Sequence, residues 1–283
     1  MQRKNRAATR VLIDLILLFI VSAPIPLFYG TFTPYRRGFY CDDETLQYPY
    51  KKSTISDPML YGIGTAIGFI VICITEIIKC KIISEKETIK WHFCGLPVPA
   101  VLKNIYCYSV VFFFGASLTE LTTDIMKFVT GRLRPNFFDS CIPDVDCTSL
   151  KDIHIHVQNY MCLNINQDVV SDSRLSFPSG HASFATYTML YTVLYLEKRI
   201  SWKSSKLLKP FIQYLFLLIG LLTALSRIAD HKHHWSDVLT GFILGLVVCL
   251  IMVFKVSNVF VTDLKHLFSN DAENHVKMEI INT

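Results

Sequence analysis

Six long runs of hydrophobic residues, separated by polar segments, dominate the chain. They cover residues 11–29, 60–78, 105–121, 182–196, 211–225 and 238–256. Each run approaches the roughly 20 residues that a helix needs to cross a bilayer, and none alternates as a strand does. Within a membrane, such a run satisfies its backbone hydrogen bonds only as a helix. The pattern therefore predicts an all-α, polytopic membrane protein with six transmembrane helices in one bundle.

Composition supports this prediction. Of the 283 residues, 51% are hydrophobic and only 18% are charged, which is less charge than a soluble domain of this length carries. The chain has no internal repeat or linker, so we expect one integral membrane domain over residues 1–283, with short cytoplasmic tails at about 1–10 and 257–283. The basic start MQRKNR is also typical of a signal peptide, but the following run is longer than a usual signal core, which favours an uncleaved first helix.

Basic residues indicate on which side of the membrane the connecting segments lie. They cluster before the first predicted span, between the second and third, and between the fourth and fifth. Because positive charge marks the cytoplasmic side, we expect both termini inside and the segments 30–59, 122–181 and 226–237 outside. Topology thus explains the net charge of +5, and we expect no nucleic-acid partner.

Four of the nine cysteines lie in the first two outside segments: Cys41, Cys141, Cys147 and Cys162. On an oxidising face they predict up to two disulfides, with three connectivities open. A zinc site is the alternative, but the spacing is not that of a ligand knuckle. The remaining cysteines, which we expect to be free thiols, are Cys73, Cys80, Cys94, Cys107 and Cys249.

Three stretches outside the hydrophobic runs carry most of the candidate chemistry. They are KFVTGRLRP at residues 127–135, PSGH at 178–181 and SRIADHKHHWSD at 226–237. The predicted topology places all three on the outer face. Because that topology was built from hydrophobic runs and basic residues alone, the coincidence favours a single site formed by the three stretches.

The first two stretches have the chemistry of a phosphate site. Lys127, Arg134 and Arg227 are cations at the membrane edge, where their convergence is favourable only around an anion. In PSGH, Ser179 is a predicted helix N-cap and Gly180 lets a ligand approach the backbone at a helix N-terminus, which favours anions. Each feature alone is equally explained by ordinary helix ends.

The third stretch supplies a candidate nucleophile. His233 and Asp237 are four residues apart, so on a helix they share a face, and a carboxylate on one ring nitrogen leaves the other as a nucleophile. His181 is then the candidate general acid, which makes phosphoryl transfer through a phosphohistidine the favoured hypothesis.

Three alternatives to this chemistry are weaker. A metal site at His231, His233 and His234 lacks ligand spacing on one helical face. A Ser179 nucleophile lacks the G-x-S-x-G elbow. A channel or transporter predicts charges at mid-span, whereas Asp14, Glu76 and Glu120 lie near the predicted span ends.

Together, the three stretches resemble the three signature motifs of the type 2 phosphatidic acid phosphatase superfamily, in their order and spacing. The segments RRGFYCDDETLQYPYK and DHKHHWSDVLTG are similar to the lipid phosphate phosphatases in particular. The resemblance covers about residues 10–262. The motif set is complete, which argues against a non-catalytic binding or scaffold relative, and six spans argue against the sphingosine-phosphate-specific and glucose-6-phosphatase branches.

The resemblance implies magnesium-independent hydrolysis of phosphatidate, lysophosphatidate, sphingosine 1-phosphate or ceramide 1-phosphate at the extracellular or lumenal face, without cofactor or metal. It implies that His233 is the nucleophile, Asp237 its orienting partner and His181 the acid and base. The implied phosphate ligands are Lys127, Arg134, Ser179, Gly180 and Arg227. Asp124, three residues before Lys127, either orients it or forms a plain helix-end pair.

The resemblance also bears on location and partners. We expect a multi-pass protein of the plasma membrane, with internal membranes as the alternative, and the resemblance is compatible with homo-oligomers. Members of this branch usually carry an N-glycosylation sequon in the long outside segment. The chain contains no N-x-S/T sequence, which leaves the chemistry unaffected.

Overall fold

A computed structural model describes residues 2–82, 91–93, 96–145, 147, 155–200 and 205–257. The predicted thiol at Cys94 and the predicted tail after residue 257 lie outside these residues. The described helices are α1 (Gln2–Ser22), α2 (Pro24–Thr31), α3 (Asp57–Ile82), α4 (Ala100–Thr130), α5 (Phe137–Cys141), α6 (Gln167–Asp172), α7 (Gly180–Arg199), α8 (Leu208–Ala229) and α9 (Trp235–Ile251). The described strands are β1 (Phe39–Tyr40), β2 (Trp91–Phe93), β3 (Leu96–Val98) and β4 (His156–Val157).

Five helical segments in the described part of the chain are long and apolar enough to cross a membrane. They are Ala7–Thr31, Asp57–Lys81, Ala100–Thr130, Leu208–Ala229 and Trp235–Val256. Each coincides with one of the predicted spans, and the first joins α1 to α2. The predicted all-α, polytopic membrane architecture is thereby confirmed.

The predicted fourth span corresponds to α7, which is less apolar than the other five. Its hydroxyl groups are satisfied inside the bundle: Thr188 Oγ1 donates to the Phe184 carbonyl at 2.9 Å, and Tyr187 Oη donates to the Phe112 carbonyl at 3.0 Å. Because α3, α4, α8 and α9 pack around α7, its side chains need not be apolar. Its 20 residues extend about 30 Å, enough for a span, and the count of six spans stays a prediction.

Close contact between α7 and α9 depends on small residues. A β-carbon added at Gly245 of α9 would lie 3.0 Å from the Thr186 β-carbon and closer still to the Ser183 carbonyl of α7. Small residues let helix backbones approach in this way inside membranes. The contact fixes the start of α9 against the start of α7, which is where two of the three sequence motifs meet.

The end of the bundle that is predicted to lie outside, named the outer end for that reason, carries a small cap stabilised by two disulfides. Cys41 bonds to Cys147, and Cys141 bonds to Cys162. Strand β1 pairs with β4 in antiparallel register, and Phe39 and Phe137 are buried beneath the cap. The two predicted disulfides are confirmed, the connectivity left open is resolved, and the zinc alternative for these cysteines is wrong. Free thiols occur, as predicted, at Cys73, Cys80, Cys107 and Cys249.

The third outside segment joins the other two at this end. Asp230 accepts hydrogen bonds from the Thr54 backbone N–H and hydroxyl, both at 2.7 Å. His231 Nδ1 lies 3.1 Å from the Pro49 carbonyl oxygen. Segments 30–59, 122–181 and 226–237 therefore meet at one end of the bundle, as the predicted topology requires.

Candidate active site

A cavity of about 500 Å³ lies among the helix ends at the outer end of the bundle. Six of the predicted site residues line it: Lys127, Arg134, Gly180, His181, Arg227 and His233. The three sequence motifs thus converge on a single cavity. Ser179 and Asp237 are both fully buried and act from behind the cavity wall.

Lys127 occupies the last turn of α4, which ends at Gly131 in the left-handed conformation (φ 53°). Lys127 Nζ lies 3.3 Å from Asp124 Oδ1 and 3.4 Å from Tyr29 Oη. Tyr29 Oη also donates to Asp124 Oδ1 at 2.8 Å. Because Asp124 is fully buried, this pair is not a solvated helix-end pair, and its geometry favours the orienting role for Asp124.

Arg134 and Arg227 are both buried, and each guanidinium is held on one side. Arg134 Nη2 donates to Asp172 Oδ1 at 2.6 Å. Arg227 Nη1 donates to the Ile55 carbonyl at 3.4 Å and lies 3.7 Å from Asp230 Oδ2. The Nε atom of each arginine is buried and has no hydrogen-bond partner in the described part of the chain. Unmet guanidinium donors beside a cavity suit the oxygens of a phosphate group.

Ser179 and Gly180, at the start of α7, contribute to the shape of the site rather than to its side-chain chemistry. Ser179 is the N-cap, as predicted, and its hydroxyl accepts from the Ala182 N–H at 3.4 Å. The Ser179 N–H donates to the Asp237 carbonyl at 3.0 Å. A β-carbon at Gly180 would lie 3.0 Å from Lys127 Nζ, so glycine keeps the space in front of the lysine open. Ser179 therefore shapes the helix start and does not line the cavity.

His233 lies in the loop before α9, which begins at Trp235. The predicted helical face shared with Asp237 is therefore wrong. His233 Nδ1 faces the Ser176 carbonyl oxygen at 2.6 Å, while the nearest Asp237 oxygen is 4.0 Å away. A carbonyl accepts only from a protonated nitrogen, so Nδ1 carries the hydrogen and Nε2 carries the lone pair. The expected tautomer is present, with a backbone carbonyl as its direct partner.

Asp237 acts on the His233 imidazole through other residues rather than by direct contact. Its Oδ2 accepts from Ser176 Oγ at 2.6 Å and from the His234 N–H at 3.0 Å, and its Oδ1 accepts from Arg132 Nη1 at 2.5 Å. The same carboxylate thus anchors both the segment that bears the Ser176 carbonyl and the loop that bears His233. Arg132 was missed in the sequence analysis because its role depends on this long-range contact.

The environment of His233 keeps its imidazole neutral. Burial lowers the pKa of His233 well below its ordinary value of 6.5, and the positive charges of Arg134, Arg227 and Lys127 lower it further. The hydrogen bond to Ser176 opposes these effects but does not outweigh them. A neutral imidazole with a free Nε2 is the form that can attack phosphorus.

His181 lines the same cavity as His233 and lies at the start of α7. His181 Nε2 lies 2.9 Å from the Ile55 carbonyl oxygen, and Nδ1 lies 3.7 Å from Asp57 Oδ1. The same Ile55 carbonyl accepts from Arg227. A substrate oxygen that takes a proton from His181 Nε2 would have to replace this carbonyl.

The predicted charge distribution along the third span needs one correction. Glu120 lies near the end of the predicted span, but α4 continues to Thr130, ten residues or about 15 Å further. Glu120 is buried inside the bundle and lines the cavity together with Tyr29, Asp57 and Tyr61. An isolated acid within a hydrophobic run was the sequence signal for this position.

The three histidines proposed as an alternative metal site face different partners. His231 contacts the Pro49 carbonyl, His233 the Ser176 carbonyl and His234 the Asp237 carboxylate. Over the described ranges no group of three or more His, Cys, Asp or Glu side chains is arranged to hold a metal ion.

Comparison with known proteins shows the family of this chain. Residues 105–260 match the model of the PAP2 superfamily. The chain is 40% identical over 271 residues to a "Putative phosphatidate phosphatase" of Drosophila melanogaster, covering 92% of this chain and 72% of that protein. It is 37% identical over 257 residues to "Phospholipid phosphatase 1" of Rattus norvegicus, covering 89% of this chain and 86% of the relative. No solved structure matches the chain. The chain therefore belongs to the PAP2 superfamily.

Proposed function

We propose that this chain is a membrane lipid phosphate phosphatase that hydrolyses phosphate monoesters through a phosphohistidine at His233. Its substrates are phosphatidate, lysophosphatidate, sphingosine 1-phosphate or ceramide 1-phosphate. Curated relatives at 34–40% identity are named phosphatidate phosphatase and phospholipid phosphatase, which supports the reaction class.

One observation carries the proposal. A neutral imidazole, His233, shares a cavity with three buried cations, and two of those cations keep an unmet donor. Such a cavity attracts a phosphate dianion and presents a lone pair to it. Each cation also has a carboxylate beside it, but a purely structural role would leave no buried guanidinium donor unmet.

The reaction follows from the positions of the groups. Lys127, Arg134 and Arg227 bind the phosphate oxygens and stabilise the charge that develops on them. His233 Nε2 forms a bond to phosphorus as the phosphorus–oxygen bond to the lipid breaks. Burial and the charge of Arg227 lower the pKa of His181 to about 4, so the charge of the bound phosphate must raise that pKa before His181 gives its proton to the leaving lipid oxygen. Neutral His181 then takes a proton from water, whose oxygen attacks phosphorus, breaks the nitrogen–phosphorus bond and releases phosphate.

The fixed cations perform the charge neutralisation that a divalent metal performs in other phosphoryl-transfer enzymes. Magnesium-independent turnover follows from this proposal. The site would face the extracellular or lumenal side, with the plasma membrane as the location. The two disulfides in the cap support an oxidising face, and the basic inner segments support the same orientation.

The test is phosphate release from phosphatidate in detergent micelles, with a chelator present, for wild type, His233→Ala and His231→Ala. The account predicts chelator-resistant release by wild type, and release lowered at least about 10³-fold in His233→Ala because the nucleophile is lost. His231→Ala is the matched control, since His231 lies in the same loop but contacts the Pro49 carbonyl, and it should retain most activity.

Two outcomes would contradict the proposal. Substantial release by folded His233→Ala protein would exclude His233 as the nucleophile. The absence of release by wild type from all four lipid phosphates would favour a non-catalytic binding or scaffold role instead.

A further inference from the structure

The cavity contains a buried acid that the proposed reaction does not use. Glu120 is 5% exposed, and its Oε1 accepts from Tyr61 Oη at 2.5 Å. Its Oε2 is buried and has no hydrogen-bond partner in the described ranges. An unmet buried carboxylate oxygen costs free energy, so its presence in a ligand cavity suggests that a ligand donates to it.

Glu120 lies on the same face of α4 as the phosphate site, but deeper in the bundle. Lys127 follows Glu120 by seven residues, nearly two turns, and Phe113 precedes it by seven. All three residues line the cavity. From the outer end inward, α4 therefore presents a cation, an acid and an aromatic ring.

The acid is adjacent to the phosphate position. Side chains on a helix lean toward its N-terminus, so the long Lys127 side chain reaches back toward Glu120. A β-carbon on Gly180 would lie 3.0 Å from Lys127 Nζ and 3.7 Å from Glu120 Oε1. A lipid with its phosphate at Lys127 and its chain toward Phe113 would place at Glu120 the carbon atoms that bear its phosphate ester.

Two other acids beside the cavity already pair with cations at hydrogen-bonding distance. Asp124 pairs with Lys127 at 3.3 Å, and Asp172 pairs with Arg134 at 2.6 Å. Within the part of the chain that the structure describes, Glu120 has a hydrogen bond from Tyr61 and no salt bridge. The partner that best satisfies the unpaired Oε2 of this carboxylate is a positively charged hydrogen-bond donor on the substrate itself.

We propose that Glu120 binds an ammonium group next to the phosphate ester and so selects sphingoid-base phosphates over lipid phosphates that lack this cation. The inference rests on the proposed function, because it assigns a specificity role within the same cavity. Sphingosine 1-phosphate carries the ammonium on the carbon next to the one that bears the phosphate. Ceramide 1-phosphate carries a neutral amide there and is otherwise the same headgroup.

The test compares kcat/KM for these two lipids in mixed micelles, for wild type and Glu120→Gln. Glutamine keeps the size and the acceptor for Tyr61 but removes the charge. We expect kcat/KM for sphingosine 1-phosphate to fall roughly 10-fold to 100-fold, as for loss of a charged hydrogen bond. Hydrolysis of ceramide 1-phosphate should change less than about threefold. Glu197→Gln, an exposed acid at the other end of the bundle, is the control.

The outcomes separate the inference from the proposed function. An equal loss on both lipids, or no loss on either, would overturn the specificity role while leaving the phosphatase intact. No release by wild type would overturn the proposed function, and the inference with it. If Glu120→Gln does not fold, Glu120→Asp is the second variant, because it keeps the charge but withdraws the carboxylate by one methylene. It should lower kcat/KM for sphingosine 1-phosphate relative to kcat/KM for ceramide 1-phosphate. An unchanged ratio in that variant would also overturn the role.

Discussion

At the scale of single residues, the proposed chemistry depends on a histidine that stays neutral because it is buried among cations. In that proposal, His233 attacks only as the neutral imidazole. Burial and the charges of Arg134, Arg227 and Lys127 hold the pKa of His233 well below 6.5. The lone pair is therefore kept as pH falls through 6.5 and is lost only at lower pH, so wild type should remain competent in mild acid.

Removing one of these cations should raise the pKa of His233 toward its ordinary value. In Arg227→Gln, we expect the acid limb of the pH profile of kcat/KM to move to higher pH by roughly one unit, the size of one unit charge at close range in a partly screened site. Arg227→Lys keeps the charge and loses the planar fork, so its activity should fall while its acid limb stays in place. Identical acid limbs in wild type and Arg227→Gln would show that Arg227 does not act on His233.

The sequence motifs predicted six of the residues that line the cavity, because their order and spacing place them at neighbouring helix ends, but Ser179 and Asp237 lie behind its wall. The motifs could not predict the backbone partners. The Ser176 carbonyl that faces His233 and the Ile55 carbonyl that faces His181 have no side-chain signature. Any residue at either position offers the same oxygen, so only the fold reveals these contacts.

At the scale of elements, the N-terminus of α9 orients the nucleophile indirectly. Asp237 accepts from the His234 N–H and from the Ser176 hydroxyl, and so ties the start of the helix to the segment that faces His233. The i, i+4 argument from the sequence failed because His233 precedes the helix, where that spacing no longer places two residues on one face.

Asp237→Asn should therefore act on the geometry of His233 rather than on phosphate binding. We expect kcat to fall about 10²-fold, as for a misplacement of about 1 Å, while KM changes little because the cations remain. Ser236→Ala is the matched control, since Ser236 Oγ accepts from the same Arg132 Nη1 at 2.9 Å without touching Ser176, and its kcat should stay near that of wild type. A rise in KM as large as the fall in kcat would contradict a positioning role.

The extents of α4 and α7 illustrate what hydropathy does and does not predict. The predicted span 105–121 stops just before Thr122, Thr123 and Asp124, yet α4 continues to Thr130 because Asp124 and Lys127 satisfy each other inside the bundle. α7 is polar for a span because four other helices cover it. In both helices, contacts with other parts of the fold satisfy the polar groups. Hydropathy averaged over a window of the sequence cannot include those contacts.

At the scale of the whole molecule, three outside segments close over one end of the helix bundle. The pairing of the four loop cysteines could not be predicted, because four cysteines allow three connectivities and sequence separation does not distinguish them. Cys41–Cys147 joins the first two outside segments, whereas Cys141–Cys162 closes a loop within the second. By contrast, the hydrophobic runs and the basic segments alone predicted that the three motif-bearing segments lie on one face of the membrane.

The central claim is that the whole assembly delivers a lipid phosphate to His233 and forms a covalent phosphohistidine. The most direct measurement is mass spectrometry of protein mixed with lysophosphatidate and quenched in alkali, where phosphohistidine survives. His181→Ala is used to slow hydrolysis of the intermediate, alone and combined with His233→Ala or His231→Ala. The account predicts a phosphoryl group on His233 in His181→Ala and in the double variant with His231→Ala, and none once His233 is removed. A phosphoryl group on another residue, or turnover without one on His233, would contradict the account.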